Sequence, residues 1–294
     1  MHRAGFVNII GSPNAGKSTL MNVLVGEKLS IITSKAQTTR HRIMGIVNGE
    51  DFQIVYSDTP GILTPNYKLQ QSMMDQVNSA ITDADIFLLV VDIKEEKETE
   101  AEINIVEKLA KQKVPVLVLL NKIDLSDQKK LEKKTALWKT KIPNAEIVPV
   151  SALRNFNVDY VLKRVLALLP ESPAFYDKKA LTDRPERFFV AEIIREKILL
   201  NYQKEIPYSV EISVNSFKQE PDIIKIAAEI FVARESQKGI LIGHEGAALK
   251  RVGTQARKDM EAFFEKKIFL ELFVKVNKDW RDDDAQLKKF GYIN

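Results

Sequence analysis

The 294 residues carry 45% hydrophobic and 29% charged side chains with a formal net charge of +4, an ordinary globular balance over a length that suits two domains. With no cysteine there are no disulfides or thiolate metal sites, as suits a reducing compartment, and His2, His41 and His244 are too scattered to share a metal. The charge is too small for a general pull on polyanions, the longest apolar runs (86–91 and 114–120) are strand-length, and no signal-peptide pattern is read before the first strand.

Residues 6–10 form the first apolar run, which stops at Gly11-Ser12-Pro13-Asn14-Ala15-Gly16-Lys17-Ser18; a helical stretch follows over 18–25. Strand, glycine-framed loop and helix in that order make a phosphate cradle. Gly11 and Gly16 let successive N–H groups turn inward, and the helix adds the positive end of its dipole. Lys17 is expected to reach the β- and γ-phosphates of a nucleoside triphosphate. The Ser18 hydroxyl is expected to ligate Mg²⁺, with Thr19 on the same turn. Strands are predicted over 43–47 and 52–56. The second leads to Asp58-Thr59-Pro60-Gly61, with Ile62 next. Asp58 would hold Mg²⁺ through a water, and the Gly61 N–H would meet the γ-phosphate. A helix over 69–82, a strand over 86–91 and a helix over 98–112 follow.

The most strand-like run, 114–120, closes on Asn121-Lys122-Ile123-Asp124. A carboxylate at Asp124 can accept from N1–H and the exocyclic N2 amine of guanine. Adenine carries no donor at either position, and an unmet buried acceptor costs about 1–3 kcal/mol. Asn121 either bonds the other base edge or ties loops together, while the Lys122 stem covers the ring. A helix over 129–139 and a strand over 147–150 lead to Ser151-Ala152-Leu153, where the Ala152 N–H can donate to guanine O6. A helix over 158–169 completes the alternation, which predicts a mainly parallel, doubly wound α/β sheet. All four motifs then fall at the carboxyl ends of strands, where such sheets bind ligands. Their order predicts a P-loop GTPase domain over 1–170.

Pro170-Glu171-Ser172-Pro173 stops the last helix, and the polar stretch 171–187 reads as an exposed linker. Beyond it a helix is predicted over 188–202, strands over 208–217 and 223–232, and a short helix near 238–241. Gly243-His244-Glu245-Gly246 comes next, then a long helix over 247–264 and a strand over 268–276. A GxxG loop between two helices in the order α-β-β-α-α-β predicts an α+β, type II KH domain over 188–278, followed by a polar tail, 279–294. Two glycines three apart are common, so the surroundings carry the reading. Ile240, Leu241 and Ile242 supply an apolar wall. Arg234, Lys238, Lys250, Arg251, Arg257 and Lys258 outnumber Glu235 and Glu245. Candidate contacts to single-stranded RNA are Lys238, Ile242, Gly243, His244, Glu245, Gly246, Lys250, Arg251 and Arg257.

The whole chain resembles the Era family of bacterial GTPases that end in a KH domain. The likeness is carried by Lys35-Ala36-Gln37-Thr38-Thr39-Arg40-His41-Arg42, by Arg187-Phe188 with Glu192-Ile193-Ile194-Arg195-Glu196-Lys197, by Ile206-Pro207-Tyr208-Ser209-Val210 and by Ala256-Arg257-Lys258-Asp259-Met260. The resemblance implies a cytoplasmic, monomeric ribosome-assembly GTPase that uses GTP, GDP and Mg²⁺ and takes no small-molecule substrate beyond GTP. It further implies binding of the 3′ end of 16S ribosomal RNA in the 30S subunit, and loose attachment at the inner membrane face, for which no amphipathic or polybasic segment is read here.

The resemblance also makes 35–42 the first switch, with Thr39 (Thr38 in reserve) joining Ser18 and Asp58 at the metal. It makes Lys17, Asn14, Thr39 and Gly61 the groups that act in hydrolysis. Ras-like enzymes place a glutamine where Ile62 stands, and isoleucine cannot bond the attacking water, so slow intrinsic turnover is expected. An asparagine at the place of Asn14 holds K⁺ beside the phosphates in related GTPases, which implies K⁺ as a further cofactor. GTP would order the segments around Thr39 and Gly61 and so alter access to the Gly243–Gly246 groove. The rival reading keeps the GTPase and makes the C-terminal domain a protein-docking module.

Overall fold

In a computed structural model that describes residues 1–293, the chain divides into two compact units: Met1–Asn66 with Gln70–Asp183, and Tyr67–Leu69 with the chain from Arg184 onward. The first unit runs β1 (Arg3–Gly11), α1 (Lys17–Val25), β2 (Ile43–Asn48), β3 (Phe52–Asp58), α2 (Lys68–Thr82), β4 (Ile86–Asp92), α3 (Glu100–Ala110), β5 (Val116–Asn121), α4 (Gln128–Lys141), β6 (Glu146–Pro149) and α5 (Val158–Leu168). Its six strands lie in the order β2-β3-β1-β4-β5-β6, and only β2 with β3 is antiparallel. The chain leaves β1 for β3 on one side and β4 on the other. The phosphate-loop sequence therefore sits at the point where the order reverses, the favoured ligand crevice of such sheets. β4 and β5 are buried along almost their whole length, as strands covered on both faces must be.

Element boundaries move for identifiable reasons. Pro115 has no N–H to give a ladder, so β5 begins at Val116 and runs on through Asn121. Thr99 and Glu102 form a capping box, with the Glu102 carboxylate accepting from the Thr99 N–H at 2.6 Å, so α3 starts two residues later than predicted.

The stretch 171–187 is not a free linker: its residues to Asp183 belong to the first unit. Gln53 is fully buried on β3, and its amide needs partners that its own strand does not supply. Its Oε1 accepts from the N–H groups of Phe175 (2.7 Å) and Tyr176 (2.9 Å), and its Nε2 donates to the Tyr176 carbonyl (2.9 Å). Further on, the Ile46 N–H donates to the Leu181 carbonyl at 2.8 Å, and Lys178 Nζ donates to the carbonyls of Gly49 and Phe52. A polar sequence gave the appearance of a tether, but its backbone is spent on the sheet.

The second unit carries α6 (Glu186–Asn201), α7 (Ile206–Ser209), β7 (Glu211–Gln219), β8 (Ile223–Val232), α8 (Glu235–Ile242), α9 (Ala247–Phe264), β9 (Lys267–Val276) and α10 (Asp284–Lys289). β7 pairs antiparallel with β8, and β8 pairs parallel with β9. This is the α-β-β-α-α-β path of a KH domain, with one helical turn added. That turn, α7, opens on Ile206-Pro207 and displaces the start of the strand predicted over 208–217. Ile194, Ile198, Ile226, Val252, Ala256 and Met260 form the centre of its core. The tail packs on this unit: Trp280 is fully buried, and its Nε1 donates to the Ser209 carbonyl at 3.1 Å. Among the described residues no helix is long and apolar enough to cross a membrane.

Candidate nucleotide site and nucleic-acid interface

The loop after β1 folds tightly because two of its glycines have no room for a side chain. A Cβ on Gly11 would stand 2.2 Å from the Val90 carbonyl oxygen, and one on Gly16, where φ is +101°, would stand 2.2 Å from Asn121 Nδ2. Asn14 also takes a left-handed φ of 62°, which asparagine tolerates better than most residues. The buried Lys17 ammonium donates to the carbonyls of Gly11 (3.0 Å) and Ser12 (2.8 Å). Burial lowers its pKa to about 8, against the opposing pull of Asp58 and two nearby glutamates. A triphosphate in the loop would restore the missing negative charge.

Three residues read as metal ligands from the sequence converge. Ser18 Oγ donates to Asp58 Oδ2 at 2.7 Å and lies 2.9 Å from Thr39 Oγ1, which itself donates to Asp58 Oδ2 at 3.3 Å. Thr38 turns away, donating to the Lys35 carbonyl at 2.6 Å, so the two threonines are separated by their bonds. Asp58 is fully buried, burial pushes its pKa up, and its Oδ1 has no hydrogen-bond partner. Two hydroxyls and a carboxylate with an unmet oxygen fit a hard divalent cation such as Mg²⁺, whose charge would offset that burial. Ser18, Thr39 and Asp58 would hold it, and it would supply charge neutralisation at the phosphates.

Thr59 Oγ1 donates to the Ile9 carbonyl at 2.8 Å, and the Ile62 N–H donates to the Gly11 carbonyl at 3.2 Å, so the second motif is bonded to both the strand and the loop of the first. Pro60 is buried, and a Cβ on Gly61 would come within 2.8 Å of Pro13. Ile62 points into the apolar core and is 2% exposed. The residues expected to read guanine also hold one another. Asn121 Nδ2 donates to the Ala15 carbonyl at 2.7 Å, and its Oδ1 accepts from the Ala152 N–H at 3.0 Å. Asn121 thus takes the loop-tying role, and the Ala152 N–H expected at guanine O6 is engaged by Asn121. Ser151 Oγ donates to Asp124 Oδ1 at 2.6 Å, which orients the carboxylate.

A cavity of about 370 Å³ is lined by Pro13, Asn14, Gly16, Lys17, Ser18, Thr19, Thr39, Gly61, Asn121, Lys122, Asp124, Ala152 and Leu153, with Ile31 to Lys35 closing one side. Ile123 packs against the core beside it. Asp92 was missed from sequence: at the end of β4 it pairs with Lys122 at 2.7 Å, and Lys122 Nζ also donates to the Asn14 carbonyl at 2.7 Å. Its one sequence signal was a carboxylate closing the apolar run 86–91, as Asp58 closes its own strand.

In the second unit Gly243 (φ +72°) and Gly246 (φ +78°) flank His244 and the left-handed Glu245, both exposed. The GxxG turn ends at the N-terminus of the eighteen-residue α9. Gly246, Lys250 and Arg257 line a second cavity of about 360 Å³ with Leu249, Gly253, Thr254, Leu270 and Leu272. Lys238, Ile242, Gly243, His244, Glu245 and Arg251 do not line it. Arg257 is paired with Glu261 at 2.6 Å, so its charge is partly spent. The sequence reading missed Gly253, whose signal was a glycine in mid-helix; a Cβ there would touch Leu272 at 3.4 Å.

Comparisons agree with this division. A family model described as 50S ribosome-binding GTPase matches residues 6–122, and one described as KH domain matches residues 205–281. GTPase Era of Syntrophus aciditrophicus is 46% identical over 99% of this chain and 96% of its own. A crystal structure of Era in complex with MgGDPNP and nucleotides 1506–1542 of 16S ribosomal RNA superposes with a TM-score of 0.95, at 37% identity over 100% of both chains. A variant of Aquifex aeolicus Era bound to GDP·AlF4⁻ gives 0.94, at 37% identity over 99% of this chain and 100% of that one.

Proposed function

The chain belongs to the Era family of GTPases, and on that premise we propose that it couples GTP hydrolysis to binding of the 3′ end of 16S ribosomal RNA during assembly of the 30S subunit. GTP and GDP with Mg²⁺ would occupy the first cavity, and single-stranded RNA the second. The observation that carries this reading is the end-to-end likeness to Era bound to MgGDPNP and that RNA segment, in a chain whose Ser18, Thr39 and Asp58 converge as a metal set. Lys17 and the loop N–H groups would bind and orient the phosphates. Asp124, aimed by Ser151, would select guanine. Thr39 and Gly61 would sense the terminal phosphate, so that hydrolysis loosens both segments.

Coupling requires RNA affinity to differ between the GDP and GMPPNP forms, and each nucleotide's affinity to respond to RNA by the same factor. Filter binding of a 16S 3′-end oligonucleotide tests this. A difference of about fivefold or more is expected, and equal affinities would rule the switch out.

Because Ile62 is buried and carries no polar group, water positioning must come from elsewhere. Asn14 lines the phosphate end of the cavity, which supports K⁺ as the assisting charge. Turnover should rise severalfold when K⁺ replaces Na⁺ at constant ionic strength. The same reading places the protein in the cytoplasm, where its RNA partner is assembled; peripheral membrane contact rests on the family resemblance alone.

A further inference from the structure

The segment read as the first switch ends at Arg42, three residues past Thr39, where β2 is about to begin. The Arg42 guanidinium lies across two parallel strands. Nε donates to Ser57 Oγ on β3 at 2.5 Å, and Nη2 donates to Asn8 Oδ1 on β1 at 3.1 Å. Asn8 and Ser57 are register partners in the sheet, and both are fully buried. Nη1 and Nη2 also grip the Asp83 carboxylate, at 2.5 and 3.0 Å, just past the end of α2. Asp83 is itself held by Asn8 Nδ2 at 2.7 Å. Every guanidinium nitrogen therefore has an acceptor, in a planar fork that lysine cannot reproduce. A second clamp comes from Gln76 on α2. Its Oε1 accepts from the Arg42 N–H at 2.5 Å, and its Nε2 donates to the Arg40 carbonyl at 3.4 Å. Two of these anchors adjoin the nucleotide site in sequence: Ser57 precedes Asp58, and Asn8 stands three residues before Gly11. Consecutive Cα atoms are about 3.8 Å apart, so three links from a fixed Arg42 keep Thr39 within about 11 Å of it. Arg40 and His41, the residues between, are buried as well, which leaves the span little slack.

We propose that Arg42 is a positioning residue for the phosphate-sensing step: with Asp83 and Gln76 it pins the end of the first switch, so that Thr39 closes on the metal and the γ-phosphate from a fixed root. The inference rests on the nucleotide-site reading and deepens it. GDP has no γ-phosphate to draw Thr39 inward, so its affinity does not depend on that root, whereas a triphosphate's does. A loosened root gives Thr39 more positions to surrender on binding, and that entropy is charged to the triphosphate form alone.

The test compares the affinities of the full-length protein for mant-GMPPNP and mant-GDP in saturating Mg²⁺. Thr39→Ala sets the scale, and it should weaken GMPPNP binding selectively. If it does not, the reading of Thr39 as the phosphate sensor fails and takes this inference with it. Arg42→Ala should lower GMPPNP affinity by about tenfold, within the usual span of such couplings, while GDP affinity stays within about twofold. Asp83→Asn, at an exposed position where the fold tolerates change, should act in the same direction by about threefold. Arg42→Ala placed on top of Thr39→Ala should add little to the loss of preference, as expected when one residue acts through the other. A GMPPNP-to-GDP affinity ratio within about 1.5-fold of the parent in either single variant overturns the proposal. So does an equal loss for both nucleotides, which marks a purely structural role, and so does full additivity with Thr39→Ala.

Discussion

The two cavities are close in volume, about 370 and 360 Å³, yet they are built in opposite ways. In the first, nearly every polar side chain already has a partner within the site: Asn121 spans two loops, Ser151 aims Asp124, Lys122 joins Asp92 to the phosphate loop, and Ser18, Thr39 and Asp58 form a ring. In the second, the lining alternates apolar residues with Lys250, Thr254 and a partly neutralised Arg257. A pre-bonded site selects by what it refuses, because a wrong ligand leaves buried groups unpaired. An open groove beside a glycine turn selects by shape and by how closely a nucleotide backbone can approach. The first therefore suits one small ligand, and the second a flexible strand.

Substitution at Asp124 should break this contrast most sharply. Asp124→Asn turns one of the two acceptor oxygens that the expected guanine donors require into a donor, and weakens the contact with Ser151. GTP affinity should fall about 100-fold, a loss of about 2.7 kcal/mol, measured by isothermal titration calorimetry. A loss below about threefold would mean that the base is not read there.

A smaller effect is expected in the groove. Gly243→Asp with Gly246→Asp adds two carboxylates and two strained positive-φ residues where a phosphate backbone must pass. RNA affinity should drop by about one to two orders of magnitude in a filter-binding assay, given salt-dependent phosphate contacts. The alanine variants sharpen the point. A Cβ on Gly243 would meet Ala248 Cβ at 2.6 Å, whereas one on Gly246 meets nothing within 4 Å. Gly246→Ala then carries only the left-handed backbone penalty of about 1–2 kcal/mol, and Gly243→Ala should lower the melting temperature further.

The smallest effect concerns protons. Lys17 has a pKa of about 8 before nucleotide arrives, lowered by burial. Phosphates raise it, so GTP binding takes up a proton above pH 8, and affinity declines as pH climbs through that value. At pH 8.5 about 0.8 proton should be absorbed per GTP bound, read from calorimetry in two buffers of different ionisation enthalpy. Proton release instead would mean that another group governs the loop.

Where the sequence was legible, the information was local. Each nucleotide motif lies within three to eight consecutive residues at the end of a strand, so spacing alone placed them. Gln53 carried no signal because its partner Tyr176 is more than a hundred residues away, and Asp92 showed only a carboxylate at the end of its apolar run, with nothing to mark Lys122 as its partner. No run, period or turn signal marks such pairs. The linker was misread for the same reason. Residues 171–183 are polar and proline-punctuated, as tethers are, while the backbone groups they satisfy belong to β2 and β3. In the groove, Gly253 and Leu272 meet only because α9 lies on the sheet, which no window of sequence contains.

That strap along β2 sets where the chain can be cut. β2 is the outermost strand of its sheet, and an uncovered outer strand recruits other chains into register. A fragment ending at Pro170, the domain boundary read from sequence, would bare that edge and remove the backbone partners of the Gln53 amide. It should come out of solution as aggregate, whereas a fragment carried on to Asp183 brings its own cover. The catalytic half is therefore separable, but only with thirteen residues that look, on paper, as though they belonged to nobody.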